Sequence, residues 1–208
     1  MRHLQIPVLK ISVPVKAPLL AAALSFGAVL ASAWVPALAQ GAATAPKRMA
    51  LSSYSFQDGG IIPDKFTQAS KQVPMSPELS WTGVPDGTKS FALILDDPDT
   101  AMGRTTNEVL HWAAFNLPGT MRDLPADVPP TPKLPDGTIQ VNNTGKQPGY
   151  MGPGAGCCVY HHYTFQLYAL DTMLNLGPDA TRAQILHVMD GHVLAKAVLV
   201  GRFHKPMP

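Results

Sequence analysis

The chain has 208 residues, with 16 Lys and Arg against 14 Asp and Glu, 2 cysteines, 21 prolines and 17 glycines. Proline at about twice its usual share, with few charges, points to short strands joined by stiff turns and away from a helical bundle. Three cations and no acids lie before Gln40, leaving 13 cations against 14 acids, so the rest of the chain lacks the basic stripe a nucleic-acid binder needs.

Residues 1–39 read as an export signal. Arg2, Lys10 and Lys16 form a positive opening, residues 17–34 are uncharged and rich in Ala and Leu, and Pro36 precedes Ala37-Leu38-Ala39, a small-x-small cleavage pattern. Cleavage before Gln40 and a periplasmic or secreted location are therefore expected. An uncleaved anchor is the rival, since the uncharged stretch approaches the length that spans a bilayer core of about 30 Å. No cysteine follows the apolar run, which disfavours a lipoprotein anchor. Residues 40–50 read as a linker, and 51–208 have the length of one domain.

Four strands and one helix stand out along that domain. Residues 91–95, after the Pro85-Asp86-Gly87 turn, form an apolar run ending on acids; residues 113–117 follow His111-Trp112 and stop at Pro118-Gly119. Residues 163–170 alternate, with Tyr163, Phe165, Leu167 and Ala169 on one face and Thr164, Gln166, Tyr168 and Leu170 on the other. Thr181-Arg182-Ala183-Gln184 fits a capping box, Ile185, Leu186, Val188 and Met189 supply an apolar stripe, and Gly191 is a suitable terminator. His187 and His192 are expected at the surface or a cap. Residues 198–203 read as the last strand.

Cys157 and Cys158 are adjacent. Ordinary disulfides join Cα atoms about 4.4 to 6.8 Å apart, beyond the trans-peptide spacing of about 3.8 Å. The pair is therefore two free thiols, which rank first, a strained vicinal disulfide, or an intermolecular link.

Three polar segments sit at strand ends: Asp96-Asp97-Pro98-Asp99; His111-Trp112; and Gly152-Pro153-Gly154 with His161-His162-Tyr163. If the first strand is antiparallel to the other two, they gather at one rim of a sheet. Singly each reads as structure, a turn, a core residue or a corner; jointly they read as a pocket. Imidazolium N–H groups, the Tyr163 hydroxyl and backbone N–H groups of the turn from Gly152 through Gly154 to Gly156 suit an anion such as phosphate or a carboxylate. Asp97 or Asp99 is expected to accept from a histidine, fixing its tautomer.

These residues resemble the phosphatidylethanolamine-binding proteins, also called Raf-kinase-inhibitor-like proteins, and particularly their bacterial branch. The resemblance runs from about Tyr54 to Phe203 and rests on Ser76-Pro77-Glu78-Leu79-Ser80-Trp81, residues 93–99, His111-Trp112, Asn116-Leu117-Pro118, Gly149-Tyr150-Met151-Gly152-Pro153, His161-His162-Tyr163 and Leu167-Tyr168-Ala169-Leu170-Asp171, in family order. It implies a mainly β fold, with a central antiparallel sheet, a smaller sheet and a few peripheral helices. By motif position Asp97, Asp99, His111, Gly154, His161 and Tyr163 correspond to the pocket. The family's ligands are phosphate-bearing or acetate-like anions and phosphoethanolamine head groups, and no cofactor is implied. Some eukaryotic members inhibit kinases or proteases by docking to them, a role that fold alone does not transfer.

The chain departs from the pattern where Asp97-Pro98-Asp99-Thr100-Ala101 replaces Asp-Pro-Asp-Ala-Pro, and where Gly152-Pro153-Gly154-Ala155-Gly156 replaces a proline-rich turn. Both changes remove rigid prolines from the pocket wall. His162 stands where many relatives have Arg, exchanging a permanent cation for a titratable group. A phosphate-ester hydrolase or metal protein using Cys157, Cys158, His161 and His162 is the alternative. Their spacing is not a standard zinc pattern, and no Gly-x-Ser-x-Gly elbow is present, so non-catalytic binding is the expectation.

Overall fold

The computed structural model describes residues 48–100 and 105–207. The export segment at 1–39, most of the linker at 40–50, and Ala101 of the altered motif lie outside the described residues. The described elements run β1 (Ala50–Ser52), β2 (Gly60–Ile61), β3 (Leu79–Thr82), β4 (Ser90–Asp97), β5 (Val109–Pro118), β6 (Asp123–Leu124), β7 (Ile139–Gln140), β8 (His161–Leu170), α1 (Arg182–Met189) and β9 (Val193–Phe203), with a 3-10 turn at Asp64–Phe66.

The fold is mainly β and built on two sheets. The larger has strand order β2-β9-β8-β4-β5-β7 and the smaller β1-β3-β6. Pairing is antiparallel throughout except between β2 and β9. Strand β4 sits between β8 and β5, and every one of its residues is buried. That explains its unbroken apolar run, since a strand covered on both faces need not alternate. Phe91, Leu93 and Leu95 pack with Leu79, Trp81 and Leu124 of the smaller sheet, in the main core. Ala92 and Ile94 face the other way, into a second cluster with Ile185 and Met189 of α1.

Helix α1 has the expected capping box. The Gln184 backbone N–H donates to the Thr181 hydroxyl, and the Thr181 N–H donates to Gln184 Oε1 at 2.8 Å. Asp190 caps the other end, and Gly191 follows at φ 81°, a left-handed conformation that glycine adopts without strain. His187 and His192 are both exposed, and His192 Nδ1 pairs with Asp171 at 2.8 Å.

Strand boundaries differ from those read in the sequence, β8 among them, which begins at His161 instead of Tyr163. Asp96 and Asp97 belong to β4 itself, β5 begins at Val109 instead of after Trp112, and β9 begins at Val193 instead of Val198. Charge at a strand end reads as a stop, yet Asp96 and Asp97 each find a cationic or imidazole partner that lets the ladder continue. The start of β9 escaped notice because Val193 and Leu194 are both exposed beside a register shift at Ala169/Leu170.

Candidate functional site

Strand β4 is antiparallel to both β5 and β8, so the end of β4 and the starts of the other two share one rim. Local geometry then brings the side chains together. In the pairing of β4 with β5, Leu95 lies opposite Trp112 and Asp96 opposite Leu110, which leaves His111 as the extra residue of a β-bulge. A bulge re-aims side chains and is common beside functional sites. Here it turns His111 into a cavity of about 290 Å³ with Asp97 and His161.

Two histidines carry the chemistry, and both use the same nitrogen for support. His111 is buried, and its Nδ1 lies 2.9 Å from the Met151 carbonyl oxygen. A carbonyl only accepts, so Nδ1 carries the proton, leaving Nε2 for another partner. His161 Nδ1 lies 2.8 Å from Asp97 Oδ2, with the His161 side chain 22% exposed and that of Asp97 4%. The other Asp97 oxygen accepts from the Asp99 backbone N–H at 3.1 Å. Asp97 thus orients His161, as the sequence reading expected of Asp97 or Asp99.

Burial pushes the His111 imidazole below its ordinary range, against the opposing pull of the Met151 carbonyl and the Asp97 charge. At neutral pH its Nε2 is therefore a lone pair. Tyr163 is fully buried under the site, its ring edge-on to His111 at a centroid distance of 5.1 Å. Burial, and then the nearby Asp97 charge, push its phenol far above the usual tyrosine range.

The seven residues expected from sequence do not all line the cavity. Asp97, His111, Gly154 and His161 do. Tyr163 instead supports the wall, its oxygen accepting the Ala155 backbone N–H at 3.0 Å. That bond uses one of the turn donors expected to face an anion. Gly152 lies behind the wall, where an added Cβ would press on Phe66 O and Pro74, and its carbonyl accepts from Gln68 Nε2 at 3.0 Å. Asp99 is turned outward: it accepts both the backbone N–H and Nδ1 of His162, at 2.6 and 2.9 Å. Burial opposes those bonds, but they hold its carboxyl below the usual range.

Sequence reasoning missed Gln68, Val109 and Met151 in the lining, whereas Thr100, Ala155 and Gly156 stand in the two segments it read as pocket wall and anion-binding turn. Gln68 matters most: its N–H donates to Pro153 O at 2.8 Å and its side chain to Gly152 O, clamping the glycine-rich turn twice. A Cβ on Gly154 would overlap the Gln68 amide and displace it from its bond to Gly152 O. Gln68 stands in no motif the reading used, just after the 3-10 turn. Met151 could have been found, as its N–H donates to the His111 carbonyl at 2.8 Å within the Gly-Tyr-Met-Gly-Pro segment.

Cys157 and Cys158 are free, exposed and outside the cavity lining, while His161 and His162 are tied to different acids. Among the described residues no group of three or more His, Cys, Asp and Glu side chains converges as metal ligands would. The four-residue metal or hydrolase arrangement is not favoured.

Comparison with known proteins supplies the wider context. The family model described as phosphatidylethanolamine-binding protein matches residues 52–204. The chain is similar to a UPF0098 protein of Methanothermobacter thermautotrophicus, 43% identical over 157 residues that cover 76% of this chain and 99% of that one. It is 37% identical over 162 residues to a UPF0098 protein of Aquifex aeolicus, covering 76% and 89% of the two chains. Among solved structures, a phosphatidylethanolamine-binding protein homolog of Chlamydia trachomatis superposes with a TM-score of 0.66 at 33% identity, over 77% of this chain and 99% of that one. The E. coli protein YbcL, a member of the mammalian PEBP family, gives 0.67 at 27% identity, over 76% and 99%.

Proposed function

The chain belongs to the phosphatidylethanolamine-binding protein family, and we propose that it is an exported, non-catalytic receptor for a small oxyanion, held between His111 and His161. The observation that carries the reading is the shared use of Nδ1. Each ring donates it to the protein, to Met151 O in one case and Asp97 Oδ2 in the other, so both Nε2 atoms are left for a ligand. With His111 neutral in the empty site, the favoured ligand either brings a proton, as a monoprotonated phosphate does, or draws one onto His111 as it binds. Phosphate, phosphoethanolamine and simple carboxylates meet that description, and the family description makes a phospholipid head group a natural source.

Both Asp97 oxygens already accept hydrogen bonds, and the Thr100 hydroxyl in the cavity lining donates to Asp97 O at 3.0 Å, so these groups act as supports and the two imidazole Nε2 atoms are what meets a ligand. Calorimetric titration with phosphate and phosphoethanolamine tests the reading on wild type, His111→Ala and His161→Ala. Loss of binding in both variants is expected, whereas equal binding by all three proteins overturns it. Export is tested by mass spectrometry of the secreted product, with a new end at Gln40 expected and an intact Met1 contradicting it.

A further inference from the structure

We propose that Cys157 and Cys158 form a redox modification site, whose closure to a vicinal disulfide resets the lip of the anion cavity. The effect on anion affinity rests on the binding reading above; the modification itself does not. Both thiols are exposed, their sulfurs lie 2.7 Å apart, and the Cys158 thiol donates to the Cys157 sulfur. Successive side chains of an extended segment diverge, so this convergence needs a special backbone. Cys158 supplies it, with φ 82°, a left-handed value uncommon for a residue other than glycine.

Ring closure must move the backbone. Disulfides favour Cα atoms at least about 4.4 Å apart, and a trans peptide fixes neighbours at about 3.8 Å, so closure distorts the peptide between the two cysteines. Toward the cavity the displacement meets a short run that is held at both ends. Ala155 is held on both sides, its N–H by the Tyr163 oxygen and its carbonyl by the Lys205 N–H at 3.2 Å, and Cys157 bridges to Lys205. Gly156, between these anchors, is the compliant link: a Cβ built there would meet nothing within 4 Å among the described residues. Gly156 also lines the cavity. Movement of Cys157 that passes to Gly156 therefore reaches the cavity lip.

The step is thiol–disulfide exchange with an external disulfide. The thiolate of one cysteine attacks a sulfur of that disulfide, forming a mixed disulfide and expelling one thiol. The thiolate of the second cysteine then attacks the bound cysteine sulfur, closing the ring and expelling the other thiol. The two protons lost by the cysteines end on the two released thiols. Two electrons pass from the pair to the external disulfide.

The test treats the full chain with glutathione disulfide or with a phosphine reductant. Loss of both alkylatable thiols without gain of glutathione mass is expected, together with shifts of the Gly154, Gly156 and His161 NMR resonances. Phosphate affinity is expected to change about fivefold, the worth of one hydrogen bond. The Cys157→Ser/Cys158→Ser double variant should show the same affinity and spectrum under both treatments. Two thiols still alkylatable after oxidation overturn the proposal, as does closure that leaves the Gly154, Gly156 and His161 resonances unmoved. Closure with moved resonances but no phosphate binding in either state upholds the modification site and overturns the binding reading instead.

Discussion

Anion binding should draw a proton onto His111, and the size of the effect follows from its surroundings. Burial holds the free imidazole below its ordinary range. At an effective dielectric near 20, a unit negative charge about 4 Å away stabilises the imidazolium by about 4 kcal/mol, or about three pKa units. That exceeds a moderate burial penalty, so the ligand-bound ring should titrate above its ordinary value of about 6.5. Between the free and bound midpoints each complex takes up one proton, so affinity falls about tenfold for each unit that pH rises across that window. Sulfate is the appropriate ligand because it does not itself titrate there. The assay is an NMR pH titration of the His111 ring resonances with and without sulfate, which keeps His161 apart. A free midpoint below about 6.5 that rises on adding sulfate is expected. Sulfate that binds without moving it would refute the reasoning.

The same shift has a stability counterpart with the opposite direction. Because the folded midpoint of His111 lies below the unfolded one, the unfolded chain binds this proton first as pH drops. The stability His111 contributes is thus complete above about pH 6.5 and is lost as pH falls from there through the folded midpoint. Excess sulfate should reverse that loss.

Three substitutions probe the supports. Asp97→Asn replaces a charged acceptor for His161 with a neutral amide, so phosphate affinity should fall about tenfold; unchanged affinity in calorimetry would remove Asp97 from the site. Arg182→Met leaves Asp96, fully buried and now bonded to Arg182 at 2.8 Å, without its cation; a loss of about 3 kcal/mol in urea unfolding is expected, largely restored by adding Asp96→Asn, and a loss below about 1 kcal/mol contradicts it. Asn116→Ala removes two bonds to Leu174, at 2.8 and 3.0 Å, and forces alanine to φ 61°. About 2–4 kcal/mol should be lost, with Asn116→Gly recovering only the conformational part; equal losses in both variants would deny the strain.

What the sequence made legible followed from periodicity and local chemistry. Strand β8 alternates as its sequence does, with Tyr163, Phe165, Leu167 and Ala169 buried, and the capping box of α1 is present in both directions. Asp97, His111 and His161 were recoverable because a polar residue at the end of an apolar run stands out. Strands of two or three residues, such as β1, β2, β6 and β7, have no period to detect, being defined by their partners. Gln68 escaped for a related reason: its role is a pair of hydrogen bonds to a turn more than eighty residues away. Asp96 and Asp97 illustrate a different limit. They read as one acidic cluster, yet strand alternation sends Asp97 to His161 and Asp96 to Arg182 on opposite faces.

The hardest feature to foresee, the His111 bulge, is also tied to a residue far along the same strand. On β5, Leu110 packs in the cluster beside α1, but Trp112 packs in the main core, so the face assignment flips across His111. Ala113 and Phe115 then lie toward α1 and Ala114 toward the main core, in the inverted phase. A second register shift, between Phe91 and Ala92 of β4, skips Asn116, after which Leu117 returns to the main core. The two extra residues cancel. With only the first, Leu117 would be turned from the core beside Phe91 toward the opposite face. The left-handed backbone of Asn116, held by its two bonds to Leu174, is therefore the structural complement of placing His111 in the cavity: the strand leaves register to make the site and re-enters it to complete the core.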